Sequence, residues 1–482
     1  MSLRIRTIEG VLWSAIERLG ALGVQFIITI IISNILTPAD YGLIGMLALF
    51  TALGSVIIDS GFGQALIQKS HISEIDLSSV FFLNVFFGFV IYIISFVFSP
   101  GISHFYNSPN LTEISRVVFT VFPINAIGII QHTLLTKNLK FRSLAKVSLV
   151  SSLISGLIGL GMAYSSFGVW SLVMQSVLYS VVRVILLWYF SRWRPQIRFS
   201  LQSIKSIWSF SISLLGSGTL IVFFNNLYTL IIGKLFPVYQ VGLYNQARRF
   251  QDLPSQTLTM IVQRVTFPVL VSIKDDLIKL RESYRKIIKF TMFLNFPILF
   301  GLIIVADNLF GILLTPNWNG AIVYFRLLCV YGAIFPLHSI NVNVLKVLGK
   351  GHVIFILEVI RRILMLASIL ISYKYSVSLL LIAFLGSSFI SVLINMRYCG
   401  LYINYKLRTQ IMDLLPVFLI SILSSFSMFL LSNITSIKVV NLFFQISAGL
   451  ITYISISLFF KLDSMIEFTK IVRELFIKIR TL

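Results

Sequence analysis

The sequence predicts an all-α, polytopic membrane protein with about 14 transmembrane helices. Three observations favour this class. The 482-residue chain is 57% apolar and only 12% charged, about half the ~25% charged residues of a typical soluble domain. Apolar stretches long enough to cross a bilayer, about 20 residues each, follow one another along the chain. Lys and Arg outnumber Asp and Glu by 39 to 17, a net charge of +22, and these cations concentrate in every second connection.

Fourteen apolar segments can be marked along the chain. They lie at 10–33, 42–64, 79–99, 114–135, 146–164, 168–190, 207–232, 241–271, 288–306, 321–345, 353–372, 377–398, 412–432 and 440–460. Residues that favour turns separate several of them. These breaks are Thr37-Pro38, Ser99-Pro100-Gly101, Ser108-Pro109-Asn110, Arg194-Pro195, Phe236-Pro237 and Thr315-Pro316-Asn317.

The first segment follows Arg4 and Arg6, as the apolar part of a signal peptide would. Glu17 and Arg18 interrupt it, and no small-residue cleavage site follows. We therefore expect an uncleaved first span.

The distribution of cations predicts the orientation. With fourteen spans, 26 Lys and Arg fall on the side of the N-terminus, and three (Lys234, Lys374 and Lys438) fall on the opposite side. Cytoplasmic loops carry the excess of Lys and Arg. Both termini are therefore expected in the cytoplasm.

A faint internal repeat predicts two lobes. Leu36-x-Pro38 and Gly42-Leu43 recur as Leu235-x-Pro237 and Gly242-Leu243. Six spans separate the copies, so both halves share one orientation, as in transporters built from parallel repeats. We expect an N-terminal lobe at 1–200, a C-terminal lobe at 201–405, and two extra spans with a basic tail at 406–482.

Signals for catalysis or cofactors are missing from the sequence. Gly349-Lys350-Gly351 lacks the flanking residues of a phosphate-binding loop. The five histidines have neither i,i+4 pairing nor a neighbouring carboxylate cluster, so we expect no metal site. Cys329 and Cys399 lie in apolar runs. No catalytic residue, cofactor or nucleic-acid partner is expected, because the positive charge is accounted for by membrane orientation.

The eighth segment carries the clearest polar stripe. Six polar residues lie within about 80° of one helix face, because a helix turns by about 100° per residue: Asn245, Arg249, Asp252, Gln256, Thr259 and Gln263. Such a stripe suits a water-filled cavity and not lipid. The alternative for Asp252 is a purely architectural pair with Arg248 or Arg249. The first segment repeats the pattern more weakly with Ser14, Arg18 and Gln25.

Three carboxylates embedded in the spans are candidates for exchanging a proton or sodium ion: Asp59, Asp252 and Glu358. Arginines lie close in sequence to Asp252 and Glu358, and Glu358 with Arg361 and Arg362 forms an i,i+3/i+4 set. Asp59 is therefore the least shielded candidate. Its alternative role is to end a helix, since Asp59-Ser60-Gly61 also reads as a turn.

Four motifs in order resemble those of bacterial O-antigen and polysaccharide flippases, in the multidrug/oligosaccharidyl-lipid/polysaccharide exporter superfamily. They are Leu36-Thr37-Pro38-Ala39-Asp40-Tyr41-Gly42, the Asp59-to-Lys69 stretch, Phe167-Gly168-Val169-Trp170-Ser171-Leu172, and Val241-Gly242-Leu243-Tyr244-Asn245-Gln246-Ala247-Arg248-Arg249 with Leu253-Pro254. The motifs span about the first 275 residues, and the helix count extends the resemblance to the whole chain.

The resemblance implies transport of an undecaprenyl-diphosphate-linked oligosaccharide from the cytoplasmic to the periplasmic leaflet of the bacterial inner membrane, by alternating access. It implies membrane lipids and polysaccharide polymerase machinery as partners. It also leads us to expect that Arg18 and Arg249, supported by Arg248, bind the diphosphate, because the guanidinium fork suits phosphate oxygens. Two alternatives remain open: a membrane-embedded polysaccharide polymerase or ligase, and an ion-coupled drug exporter of the same superfamily.

Overall fold

The computed structural model describes residues 13, 20–59, 61–69, 71–432 and 434–480. Within these residues the chain forms α-helices and one short 3-10 helix, without strands. The predicted all-α class is confirmed. Ser14 and Arg18 lie outside the described residues.

The chain divides into two compact units, at 1–242 and 243–482. The first contains α1 (Gly20–Ser33), α2 (Pro38–Asp59), α3 (Phe62–Gln68), α4 (Glu74–Tyr106), α5 (Leu111–Val118), α6 (Val121–Lys137), α7 (Phe141–Tyr164), α8 (Trp170–Ser191) and α9 (Leu201–Leu235). The long helix α10 (Val238–Ser272) begins in unit 1 and continues into unit 2.

Unit 2 continues with α11 (Leu277–Leu313), the 3-10 helix Pro316–Trp318, α12 (Gly320–Val347), α13 (Gly351–Ser372), α14 (Val377–Tyr402), α15 (Leu407–Leu430), α16 (Lys438–Phe459) and α17 (Asp463–Arg480). Unit 1 ends later than the predicted N-terminal lobe because α9 packs along α2. The predicted lobes, which were derived from the internal repeat, stay a prediction.

Eleven stretches in the described part of the chain are long and apolar enough to cross a membrane. Within the residues that the structure describes, each of the fourteen predicted segments falls on one or two helices. The segments outside the eleven are those of α1, α10 and α13; α10 and α13 carry charged residues along their length. The count of fourteen spans therefore stays a prediction, and the multi-pass class is clear.

One predicted break is wrong. Ser99-Pro100-Gly101 was expected to form a turn, but α4 continues through Pro100 to Tyr106. A proline inside a helix leaves one backbone carbonyl without its usual hydrogen-bond donor. Membrane helices tolerate such a proline where other groups, such as Ser and Thr hydroxyls, satisfy the backbone nearby. The hydroxyl of Ser99 donates to the Ser95 carbonyl at 2.8 Å, beside the carbonyl that Pro100 leaves without its usual donor. The remaining predicted breaks all separate helices.

Two glycines permit a close helix crossing within unit 1. A Cβ on Gly42 would lie 2.1 Å from the carbonyl oxygen of Val238, the first residue of α10. A Cβ on Gly242 would lie 1.7 Å from the carbonyl oxygen of Pro38, the first residue of α2. The contact is reciprocal, and the predicted repeat pairs the same two glycines. Only glycine fits at such a separation.

Candidate functional site

The residues of the predicted stripe on α10 have different surroundings. Arg249 and Gln256 are exposed. Thr259 is buried and donates to a carbonyl one turn earlier in its own helix, at 2.8 Å. Gln263 donates to the Ser339 hydroxyl of α12, and the Asn245 amide nitrogen is buried. Half of the stripe is thus built into the packing of the helices.

Asp252 forms the pair that the sequence left open as an alternative. Its Oδ2 lies 3.5 Å from Nε of Arg248, one turn earlier, and both side chains are about one-third exposed. The Tyr244 side chain lies close to Arg248, and the Gln256 side chain lies close to Asp252. The Asp252 carboxylate therefore has a resident cation.

Glu358 on α13 is the centre of a second charged group. Its carboxylate oxygens lie 3.4 Å from Arg361 NH1 and 3.4 Å from Arg362 NH2. His338 of α12 places Nε2 at 3.3 Å from the same carboxylate. Two arginines and a histidine therefore surround one glutamate.

His338 connects this group to α14. Its Nδ1 lies 2.7 Å from the side-chain nitrogen of Asn395, and its Nε2 lies 3.0 Å from Arg361 NH1. The histidine side chain is only 11% exposed, so these contacts fix the ring. Three helices are thereby joined by polar groups inside the unit.

Tyr331 joins the two charged groups. Its hydroxyl lies close enough to Arg361 and to Arg248 to interact electrostatically with both guanidinium groups. The resulting arginine network spans four helices of unit 2. Its members are Arg248, Asp252, Tyr331, His338, Glu358, Arg361, Arg362 and Asn395.

The arginine network has more positive than negative charge. Three guanidinium groups face two carboxylates, which leaves one cation in excess before any proton on His338 is counted. Among the helices of a multi-pass membrane protein, an unbalanced charge is expensive and marks a functional site by default. The network is therefore suited to receive an anion, to which arginine can donate charge-assisted, bidentate hydrogen bonds.

Part of this network was not predicted from the sequence. The arginines of α13 and Glu358 were singled out by their i,i+3/i+4 spacing. Tyr331, His338 and Asn395 were missed, because their partners lie on other helices and no spacing along the chain marks them. The one usable signal was that His338 and Asn395 are polar residues inside apolar segments.

Asp59 lies in a different place, at the last position of α2. The alternative expectation, that it ends a helix, is met: Gly61 follows with φ of 68° and α3 begins at Phe62. Asp59 opens into a cavity of about 410 Å³ inside unit 1, which we call the Asp59 pocket. Its lining is Ser55, Ile58, Asp59, Gly63, Gln64, Ile67, Asn125, Gly128, Ile129, His132, Thr133, Thr136 and Arg183.

Of the residues predicted on the first segment, the structure describes one. Gln25 lies on α1 with an exposed side chain, and its carbonyl accepts from Thr29 at 2.7 Å. Ser14 and Arg18 fall outside the described residues. The predicted pairing of Arg18 with Arg249 therefore stays a prediction.

Sequence comparison identifies relatives of this chain. The profile of a family described as "Polysaccharide biosynthesis protein" matches residues 31–323. The lipopolysaccharide biosynthesis protein WzxC of Escherichia coli is 28% identical over 77% of this chain and 76% of its own length. The teichuronic acid biosynthesis protein TuaB of Bacillus subtilis is 26% identical over 73% of this chain and 74% of its own. The succinoglycan biosynthesis transport protein ExoT of Rhizobium meliloti is 26% identical over 73% and 71%.

Structural comparison places the fold. The lipid II flippase MurJ in an inward closed conformation superposes with a TM-score of 0.73 at 17% identity, covering 94% of this chain and 99% of that one. An inward-facing multidrug transporter of the MATE family superposes with a TM-score of 0.58 at 13% identity, covering 81% and 94%. At these identities the likeness concerns the fold.

Proposed function

Because this chain belongs to the polysaccharide biosynthesis protein family, we propose that it is a flippase for lipid-linked oligosaccharides. It moves undecaprenyl-diphosphate-linked repeat units of a surface polysaccharide from the cytoplasmic to the periplasmic leaflet, by alternating access. The names of its relatives support this activity, since they concern lipopolysaccharide, teichuronic acid and succinoglycan. The observation that carries the proposal is the arginine network, with its excess cation in the helices of unit 2.

The arginines are the proposed diphosphate-binding groups. Arg18, Arg248 and Arg249 were assigned this role from the sequence, and Arg361 and Arg362 extend it. A planar guanidinium fork matches two phosphate oxygens, whereas a lysine offers a point charge. The polar residues Ser14, Gln25, Asn245, Asp252, Gln256, Thr259 and Gln263 belong to the proposed cavity lining.

Asp59 is the proposed coupling carboxylate. Asp252 and Glu358 are already paired with arginines, so each of these carboxylates has a counter-ion in place. Within the described part of the chain, Asp59 has no ion pair within 4.0 Å. A carboxylate free to exchange a proton or sodium ion suits gradient coupling better than a paired one.

The proposed location is the bacterial inner membrane, with both termini in the cytoplasm, as the cation distribution predicts. The product would then be released in the outer leaflet, where polymerase machinery can use it. Activity as a polymerase or ligase is the competing outcome of the following test.

The proposal is tested by reconstituting the full chain into liposomes with a fluorescent undecaprenyl-diphosphate oligosaccharide. A membrane-impermeant glycosidase then reports how much glycan reaches the outer surface. We expect faster exposure than in protein-free liposomes, with the substrate chemically unchanged. Equal exposure with and without protein, or conversion into longer or cleaved glycans, would contradict a flippase.

A further inference from the structure

The Asp59 pocket contains three ionisable side chains that do not belong to the arginine network. It holds a carboxylate (Asp59 on α2), an imidazole (His132 on α6) and a guanidinium (Arg183 on α8). In the part of the chain that the structure describes, no ion pair shorter than 4.0 Å joins any of these three side chains to another residue. Opposite charges thus share one cavity without neutralising each other directly.

The other polar side chains of the lining point to a hydroxyl-rich ligand. Gln64, Asn125 and Thr133 contribute amide and hydroxyl groups, which can both donate and accept hydrogen bonds. Ser55 and Thr136 instead donate to carbonyls of their own helices, at 2.8 and 2.9 Å. Asp59 is exposed and Arg183 is half-buried, and in the described part of the chain neither has an ion-pair partner within 4.0 Å, so a ligand in the pocket can contact the two charges separately.

The absence of a side chain at Gly63 leaves room for a ligand next to Asp59. A Cβ there would lie 2.9 Å from the Thr133 hydroxyl oxygen and 3.2 Å from Oδ1 of Asp59. Glycine therefore keeps open the side of the pocket on which the carboxylate lies. The volume of about 410 Å³ falls within the range of roughly 300–1,000 Å³ found for small-molecule sites.

We propose that the Asp59 pocket binds a sugar phosphate, as the sugar nearest the phosphate of the transported lipid would present. Arg183 binds the phosphate oxygens, Asp59 accepts hydrogen bonds from sugar hydroxyls, and the amides of Gln64 and Asn125 complete the contacts. This inference rests on the proposed function, to which it adds a recognition site within unit 1. Substrate and coupling ion then compete for Asp59, so that only one occupies the pocket at a time.

The test measures binding to the purified full chain in detergent, without transport. Glucose 1-phosphate, methyl glucoside and inorganic phosphate are titrated separately, and the thermal unfolding temperature is followed. We expect saturable stabilisation by glucose 1-phosphate that exceeds the effect of either other probe. Arg183→Gln should weaken its affinity about tenfold or more, as expected for the loss of a charge-assisted hydrogen bond.

Two further variants separate the pocket from general effects. Gly63→Ala should weaken binding by narrowing the site, while its far-ultraviolet spectrum stays that of the wild type. Arg198→Gln removes an exposed cation between α8 and α9 and should bind as the wild type does. No saturable stabilisation of the wild type, equal stabilisation by inorganic phosphate or methyl glucoside, or unchanged affinity in Arg183→Gln would overturn the inference.

The two proposals fail in different ways. Unchanged affinity in Arg183→Gln overturns the pocket assignment and leaves flipping in liposomes untouched. Absence of flipping by the wild-type protein overturns the proposed function, while selective binding of glucose 1-phosphate would still identify a sugar-phosphate site.

Discussion

His338 Nε2 lies 3.3 Å from the carboxylate of Glu358, and this contact joins α12 to α13 inside the arginine network. The same carboxylate contacts Arg361 and Arg362. One glutamate therefore keeps two guanidinium groups at a fixed separation. The proposed binding of an anion depends on this spacing, because bidentate recognition requires oriented donors.

Glu358→Gln should loosen the arginine network. Removing the carboxylate leaves Arg361 and Arg362 next to each other with an uncharged neighbour. We expect unfolding to become easier by about 1–3 kcal/mol, measured by denaturant unfolding in detergent. Glu282→Gln, which changes an exposed glutamate of α11, should shift stability by less than about 0.5 kcal/mol. Equal effects of the two substitutions would contradict the structural role of Glu358.

A separate polar cluster joins α11 to α15. Arg285 donates from Nε and NH2 to the two oxygens of Asp413, both at 2.5 Å, and Lys289 Nζ lies 3.6 Å away. Tyr405 also donates to Asp413. Burial, together with that hydrogen bond, raises the pKa of Tyr405 above its ordinary value. The phenol therefore keeps its proton through neutral pH, and its contribution to stability is lost only as the pH rises through the raised pKa.

Asp413→Asn should destabilise the protein by about 1–3 kcal/mol. The substitution removes the negative charge of the carboxylate that Arg285, Lys289 and Tyr405 share. The measurement is the midpoint of denaturant unfolding at neutral pH. Asp275→Asn, at an exposed position before α11, serves as the control and should be near neutral. A midpoint for Asp413→Asn that matches the control would show that the cluster adds nothing to stability.

Gly242→Ala should disrupt the close crossing within unit 1. The added Cβ would overlap the carbonyl oxygen of Pro38, and overpacking of this kind costs typically about 1–3 kcal/mol. Gly216→Ala on α9 is the matched control, because nothing lies within 4 Å of a Cβ there; alanine in a helix should be neutral or stabilising by up to about 1 kcal/mol. The measurement is the thermal unfolding temperature of both variants. An unfolding temperature of Gly242→Ala equal to that of the wild type would refute the steric requirement for glycine.

Arg249→Lys should lower glycan export while the protein still inserts normally. The lysine keeps the charge but loses the guanidinium fork, and Arg249→Ala should abolish export. Arg18→Ala should have the same effect as Arg249→Ala. Export is quantified as surface polysaccharide in cells that lack their own flippase, at matched protein levels. Wild-type export by both alanine variants would mean that these two arginines are structural.

Much of the fold follows from the sequence for a simple reason. Apolar length and cation placement are local properties, and the bilayer makes them decisive. Where the structure describes them, the fourteen segments lie almost entirely on helix. The turn predicted at Ser99-Pro100-Gly101 was wrong, because a proline does not end a helix in which neighbouring groups satisfy the backbone. For Asp59 the sequence leaves two roles open, because a polar residue near the end of a helix is compatible both with a turn and with a functional site.

The site was less predictable because its contacts are long-range. Helical periodicity identified Arg248, Asp252 and Glu358, whose partners are one turn away. It could not identify Tyr331, His338 or Asn395, because the sequence does not say which face of α12 or α14 meets α13. The same limit applies to Arg183, which became informative only when the fold brought it into one cavity with Asp59 and His132.

The most direct test of the central claim is the initial rate at which undecaprenyl-diphosphate oligosaccharide crosses the liposome bilayer, compared between wild type, Arg361→Gln and the control Arg198→Gln. The arginine network predicts flipping by wild type and control, and a rate about tenfold or more lower for Arg361→Gln, because a charge-assisted hydrogen bond to the diphosphate is lost. If Arg361→Gln flips the lipid as fast as the wild type at equal reconstituted amounts, the network does not bind the substrate anion, and this account of transport is contradicted.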